Sequence, residues 1–107
     1  MENTIAFYQQ CIKTLLQEYE NLQTNYSHAE IVLDDERSRY LVVWIGWMQS
    51  KRIYQTAIHI EIREQKIIIE CNDTERMLAT ELVEQGIPRE KIHLGFVSPE
   101  GLSCCAA

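Results

Sequence analysis

The sequence lacks the features that would place a small protein in several common functional classes. It contains no C-x-x-C pair, so its cysteines outline neither a zinc site nor a disulfide framework. Its glycines, Gly46, Gly86, Gly95 and Gly101, stand apart and form no loop able to cradle a phosphate. The longest uncharged apolar run, Tyr40 to Met48, is too short to cross a bilayer. Residues 1–30 show no basic start followed by an apolar block, so no secretory leader is expected and the cytoplasm is the default location. Ser98-Pro99 has no His or Asp placed in a nucleophile pattern. There is no internal repeat, linker or low-complexity segment.

What remains is the composition of an ordinary globular chain. At 107 residues, with 46% hydrophobic and 24% charged side chains, one domain with a single core is expected over 1–107. Cys11 and Cys71 sit among apolar residues and read as small buried side chains. Cys104 and Cys105 are adjacent in the tail.

The net charge of −6 is unevenly spread. Residues 1–36 carry one basic and seven acidic groups, and residues 67–107 carry three basic and seven acidic groups. Between them, residues 37–66 hold six basic groups against Glu61 and Glu64. An acidic chain is poorly suited to non-specific DNA binding, because phosphate neutralisation supplies most of that affinity. The basic centre is consistent with a local nucleic-acid or acidic-partner contact, although a solvated sheet surface is the preferred reading.

Periodicity gives the elements. Ile5, Tyr8, Ile12, Leu15, Tyr19 and Leu22 recur at alternating spacings of three and four, predicting a helix over 4–24 with Asn3 as its N-cap. Residues 28–34 alternate as a half-buried strand. Over 38–48, Tyr40, Val42 and Trp44 face one side while Leu41, Val43, Ile45 and Trp47 face the other. Both sides are apolar, as in a central strand or one covered by a partner. Residues 52–62 place Tyr54, Ile58, Ile60 and Ile62 on one face and Gln55, His59, Glu61 and Arg63 on the other. Gln49-Ser50-Lys51 and Glu64-Gln65 read as turns, the second leading into a strand over 66–71. A second helix is predicted from Asp73 to Gly86, with Asn72 and Glu75 as a loose capping box and Leu78, Leu82 and Val83 as its apolar stripe. Gly86-Ile87-Pro88 ends it, and Ile92, Leu94 and Phe96 form a last strand that the intervening helix allows to run parallel. The fold class is therefore α+β: a mostly antiparallel sheet of about five strands with two helices on one face, in the order α-β-β-β-β-α-β.

Sites for chemistry are scarce. His59 and Glu61 share a strand face, an arrangement able to bind a metal or to pair as acid and base, but a cross-strand polar pair on an exposed or interfacial face is the preferred account, since His28 and His93 come from distant segments. Asp34, Asp35 and Glu36 lie beside Arg37 and Arg39 and read as a charged turn, without the lysine spacing a nuclease needs around its metal. No catalytic residue, metal or cofactor is assigned. Trp44 and Trp47 fall on opposite faces of one strand, so one of them is a candidate to line a subunit or partner surface, where aromatics often carry much of the binding energy. The candidate partner or nucleic-acid surface comprises Arg37, Arg39, Tyr40, Trp47, Lys51, Arg52 and His59.

The ordered series Asp34-Asp35-Glu36-Arg37-Ser38-Arg39-Tyr40, Val42-Val43-Trp44-Ile45-Gly46-Trp47, His59-Ile60-Glu61-Ile62, Lys66-Ile67-Ile68-Ile69-Glu70, Asn72-Asp73-Thr74-Glu75 and Glu81-Leu82-Val83-Glu84-Gln85-Gly86-Ile87-Pro88 resembles the XisI-like family. These are the fdxN-element excision controlling factors of cyanobacteria, and the resemblance spans roughly residues 5–99. The matching motif positions are Arg37, Tyr40, Gly46, Trp47, His59, Lys66, Glu75, Glu81, Leu82, Gly86, Pro88, Ser98 and Pro99. Two departures stand out: Ile68 replaces a tryptophan common in the family, and the tail from Glu100 to Ala107 replaces an Arg-x-Tyr segment and a Phe-Ala ending.

The resemblance implies a non-enzymatic accessory factor for DNA-element excision in heterocysts, acting beside a site-specific recombinase and a nuclease-fold protein, XisH. The expected partner is an XisH-like protein or the recombinase, with the chain itself a homo-oligomer. Three other readings stay open. The chain is then a DNA-binding module using Arg37, Arg39, Lys51 and Arg52, a general regulatory or inhibitory partner of a nuclease-like protein, or an uncharacterised enzyme with a ligand near His59.

Overall fold

A computed structural model of the chain describes residues 3–97. Helix α1 (Thr4–Leu16) is followed by a 3-10 turn over Gln17–Tyr19 and by four successive antiparallel strands: β1 (Ser27–Asp34), β2 (Arg39–Met48), β3 (Lys51–Arg63) and β4 (Lys66–Asn72). Helix α2 (Leu78–Glu84) and a 3-10 turn over Arg89–Lys91 then cross over to β5 (Ile92–Leu94), which pairs with β4 in parallel. The sheet order is β1-β2-β3-β4-β5. This is the expected α+β layout, with the parallel last strand that the crossover permits. Among the described residues, no helix is long and apolar enough to cross a membrane.

Both helices cover the same side of the sheet. Tyr8, Ile12, Leu15 and Leu16 of α1 and Leu78 and Leu82 of α2 join Tyr40, Val42, Ile58, Ile60, Ile67 and Ile69 in one buried cluster. Trp44 packs against its edge. The hydroxyl of Tyr40, whose ring is fully enclosed, donates to Asp35 Oδ1 at 2.7 Å. Lys13 Nζ holds the other oxygen of Asp35 at 2.7 Å, so one carboxylate clips α1 to the β1–β2 turn. Lys13 first, and then Tyr40, hold the Asp35 carboxyl below its ordinary value, while burial and Asp35 push the Tyr40 phenol up.

The helices are shorter than their periodicity predicts. Asn3 Oδ1 accepts from the Ala6 N–H at 3.0 Å, which is the expected cap. The helix nevertheless stops at Leu16, because Glu20 is extended and Asn21 takes a left-handed φ of 70° that an α-helix cannot contain. The carbonyl of Leu22 then accepts from Ala29 at the edge of β1, and the Leu22 side chain is exposed rather than part of the buried stripe. For α2, Asn72 and Thr74 form a local turn instead of a capping box. Asn72 Oδ1 accepts from the Thr74 N–H at 3.1 Å, and Asn72 Nδ2 donates to the Arg76 carbonyl at 2.8 Å. That closed turn delays the helix to Leu78, and Val83 lies on the exposed side of it. At the other end, Ile87 N–H donates to Leu82 and Gly86 N–H to Val83, a Schellman stop with Gly86 at a φ of 110°. β5 ends at Leu94, leaving Leu94 exposed and Phe96 beyond the strand but packed on the core.

Two register skips shape the sheet. Val42 lies opposite Ile58 but Val43 opposite Thr56, so Ala57 is an extra residue in β3. His59 lies opposite Cys71 but Ile60 opposite Ile69, making Glu70 the extra residue in β4. Each extra residue is a β-bulge that reverses the inward–outward phase of its strand. The predicted faces of β3 are corrected accordingly. Ile58, Ile60 and Ile62 do face the helices, but Tyr54 lies opposite Ile45 on the uncovered side, and Gln55 lies opposite Trp44 on the helix side.

The β3–β4 turn places both Glu64 and Gln65 at left-handed φ, 56° and 64°. This is the geometry in which Asn-Gly is strongly preferred, and a side chain in that region costs on the order of 1 kcal/mol. Replacing Glu64-Gln65 by Asn-Gly should stabilise the chain by about 1 kcal/mol. The midpoint of urea unfolding reads this directly, and an unchanged or lower midpoint would contradict the turn assignment.

Candidate partner-binding surface

The side of the sheet away from the helices is uncovered among the described residues, and its rows follow from the pairing. Leu41, Val43, Ile45 and Trp47 of β2 lie opposite His59, Thr56, Tyr54 and Arg52 of β3. On the other flank, Val32, Glu30 and His28 of β1 lie opposite Leu41, Val43 and Ile45. Ile68 of β4 lies opposite Glu61 and belongs to this side too, which is why it stands outside the helix-side core although only 9% exposed. The family departure at Ile68 therefore falls on the open face and not in the helix-covered core.

At one end of this face β2 and β3 run on beyond their neighbours. β1 begins at Ser27, opposite Gly46, and β4 ends at Asn72, opposite Ile58. The outer hairpin carries Trp47, 56% exposed, and Tyr54, 69% exposed. The Arg52 guanidinium lies 5.3 Å from the Trp47 ring centre and 5.9 Å from that of Tyr54. A cation against two aromatic faces orders all three side chains while leaving their outer surfaces open. Gly46 sets the geometry beneath them: a Cβ there would come within 2.6 Å of the Ser27 Cα. That close approach lets the Trp47 N–H reach the Tyr26 carbonyl at 3.0 Å.

The opposite end is ionic and closed upon itself. Glu61, only 5% exposed, lies 3.1 Å from Arg39 and 3.4 Å from Arg63, and Arg63 also lies 3.9 Å from Glu70. Arg37 pairs with Asp34 at 3.4 Å. Glu61 and Glu70 share a hydrogen bond that holds the Glu61 carboxyl below its ordinary value; Arg39, Arg63 and His59 add to the effect, and burial opposes it. The same bond raises Glu70, reinforced by burial and by the Glu61 charge. Nε2 of His59 is enclosed beside this cluster without a hydrogen-bond partner. Among the described residues, no group of three or more His, Cys, Asp or Glu is placed to hold a metal ion.

The seven residues expected to form one surface are thus divided. Trp47 and Arg52 stand at the hairpin end, whereas Arg37, Arg39 and His59 stand toward the ionic end, about 27 Å from Trp47 by strand rise in the case of Arg39. Lys51 lies opposite Met48 and leaves the sheet from the other side. Tyr40 cannot line the surface, because its ring is in the core. Trp44 and Trp47 do fall on opposite faces as expected. Tyr54 and the Glu61–Glu70 pair escape a reading by strict alternation. The signal that locates Tyr54 is the change of phase between Ile53 and Ile58, odd and then even, which marks the bulge. Cys11 is buried in the core, its thiol pushed up by burial; Cys71 is half-buried and reaches the Thr56 carbonyl at 3.6 Å. Cys104, Cys105, Ser98 and Pro99 lie outside the described residues.

A family model described as XisI protein matches residues 1–104. Among solved structures, a XisI-like protein from Anabaena variabilis superposes with a TM-score of 0.83 at 37% identity, covering 90% of each chain. The fdxN element excision controlling factor XisI from Anabaena variabilis superposes with a TM-score of 0.81 at 27% identity, covering 92% of this chain and 97% of that one. No curated protein matches the chain.

The carboxyl pair makes a pH-dependent prediction. Glu70 has a folded-state pKa above its unfolded value, so its contribution to stability is present below the unfolded value and is lost as pH rises through the folded one. Glu61 acts in the opposite sense, contributing above its unfolded value and losing that contribution as pH falls through the folded one. Glu70→Gln keeps a donor to Glu61 and removes the like charge, so it should raise the Tm at pH 8 by a few degrees, on the order of 4 °C. Thermal scans across pH should show this gain shrinking toward zero below about pH 4, where glutamate is itself protonated. A gain that persists in acid would show that the pair is not coupled in this way.

Proposed function

The chain belongs to the XisI family, and from that premise we propose that it is a controlling factor in the excision of a DNA element of the fdxN type. It catalyses no step itself and works by binding a protein, an XisH-like protein or the recombinase, at the Trp47–Arg52–Tyr54 end of its open face. The observation that carries this reading is the exposure of two large aromatic rings that both lie against one guanidinium. Aromatic and arginine side chains dominate binding hot spots, and a pre-ordered set loses less entropy on docking. Arg52 forms no ion pair within the described residues, which leaves its charge for a partner carboxylate.

Direct DNA binding has less support. Arg37, Arg39 and Arg63 each face a carboxylate of the same chain, so the basic centre is largely neutralised where it is densest. Phosphate binding would require those pairs to open, against a net charge of −6.

Co-expression with the XisH-like protein of the same genome should give a co-eluting complex. Trp47→Ala or Tyr54→Ala should weaken it by roughly 30-fold, as expected of a hot-spot truncation, while Arg37→Ala should leave it near wild type. A folded, soluble chain that binds neither the XisH-like protein nor the recombinase would overturn the partner reading. Binding to duplex DNA that falls steeply with salt would put the nucleic-acid reading in its place.

A further inference from the structure

The two edges of the sheet are not alike. β5 is three residues long, and so short an edge offers another chain little to pair with. β1 runs for eight residues in unbroken register with β2, and it carries no proline, lysine or bulge. Those are the devices that ordinarily keep a free edge from pairing.

The bonds at the start of β1 fix which way its backbone groups point. The Tyr26 carbonyl accepts from Trp47 of β2, whereas the Ser27 carbonyl accepts from Thr24 and the Ala29 N–H donates to the Leu22 carbonyl, both on the outer side. Alternation carries the same outward direction to the N–H and C=O groups of Ile31 and Leu33. Among the described residues nothing bonds them there. The segment that pairs with the start of β1 goes no further, because Asn21 takes a φ of 70° and turns it away. Beside the open stretch lies a groove of about 600 Å³, lined in part by Glu20, Leu22, Gln23, His28, Glu30 and Ile31.

No Lys or Arg lines this groove. Among the described residues Glu20 forms no ion pair, and Glu30 has only His28, at 3.0 Å, which offsets it only while protonated. We propose that the outer edge of β1, from Ala29 to Leu33, receives an extended basic segment of another protein as a further strand. Its main chain pairs with Ile31 and Leu33. Its alternate apolar side chains continue the row of Ile31 and Leu33 on the helix side, and the lysines or arginines between them reach the groove carboxylates. The same charge disfavours a second copy at this edge. Residues 1–36 carry one basic and seven acidic groups, so two β1 strands side by side would bring like charges together. The site is separate from the aromatic hairpin, whose Trp47, Arg52 and Tyr54 belong to β2 and β3, and rests on nothing argued for it.

A fluorescein-labelled peptide of alternating valine and lysine, about seven residues long, titrated against the full chain, tests this. It should bind saturably, and the Ile31 and Leu33 amides should become protected from hydrogen exchange. N-methylating one alternate set of the peptide's amides should abolish binding, while methylating the other set should leave it, because only one edge of the added strand meets β1. Charge attraction alone would treat the two sets equally. Glu20→Lys with Glu30→Lys should weaken binding by at least about tenfold, and Trp47→Ala should leave it unchanged. The methylation and exchange readouts use the wild-type chain, so they stand whether or not the double variant folds. No binding, equal binding of the two methylated peptides, or protection confined to other strands would each overturn the proposal. So would Ile31 and Leu33 amides that grow protected with chain concentration alone, which would give the edge to a second copy.

Discussion

The extra residue at Ala57 decides what the two sides of this sheet become. Inward of it, Ile58, Ile60 and Ile62 face the helices and complete the core; outward of it, Arg52 and Tyr54 join Trp47 on the uncovered side. Without the bulge the alternation would carry Tyr54 to the helix side and bring Gln55 out. The bulge is held in place from β4 and the turn after it. The Ala57 carbonyl accepts from the Asp73 N–H at 2.7 Å, Cys71 reaches the Thr56 carbonyl, and Gln55 bonds the Asp73 carboxylate. The Asn72–Arg76 turn, which displaces the start of α2, thereby also fixes the strand that presents the aromatic hairpin.

The second organising element is the placement of charge. A chain with a net −6 and a basic middle invites an electrostatic account of its function. The structure instead directs three of the six basic residues of that middle to carboxylates of the same chain. Arg37 meets Asp34, and Arg39 and Arg63 meet Glu61. Glu61 is nearly buried on a sheet face that no other described residues cover, and two guanidiniums approach it there. A rim so satisfied supplies orientation and discrimination more than attraction. The exposed aromatic area and the stacked Arg52 are left as the source of binding energy. Arg76 works in the same structural sense away from the face, joining Glu81 of α2 to Glu18 after α1 and lying over the Tyr19 ring.

The sequence made the fold class, the order of elements and the character of β2 legible, because these rest on periodicity, and periodicity survives in any packed structure. Element ends were less legible. The three–four spacing through Leu22 reads as one helix, while a left-handed Asn21 ends it; no spacing rule detects a single backbone angle. Asn72 carries the same side chain for a capping box as for the local turn it forms, and only the bonds to Thr74 and Arg76 distinguish them. On the surface, Trp47 and Arg52 were legible as a strand pair across a short turn. Their third member was not, because Tyr54 lies on the far side of a bulge from the isoleucines that set the apparent phase. Tyr40, an aromatic beside an arginine, looked like surface and proved to be core, since a buried hydroxyl needs one acceptor and Asp35 supplies it.

Site-specific photo-crosslinking tests most directly whether the open face is where this protein meets its partner. A benzophenone side chain in place of Tyr54 should, on irradiation of co-expressing cells, form a covalent adduct with the XisH-like protein or the recombinase. The same group in place of Gln10, on the helix layer, should give none. An adduct from position 10 and none from position 54 would move the binding surface to the helices and contradict the account built on the aromatic hairpin.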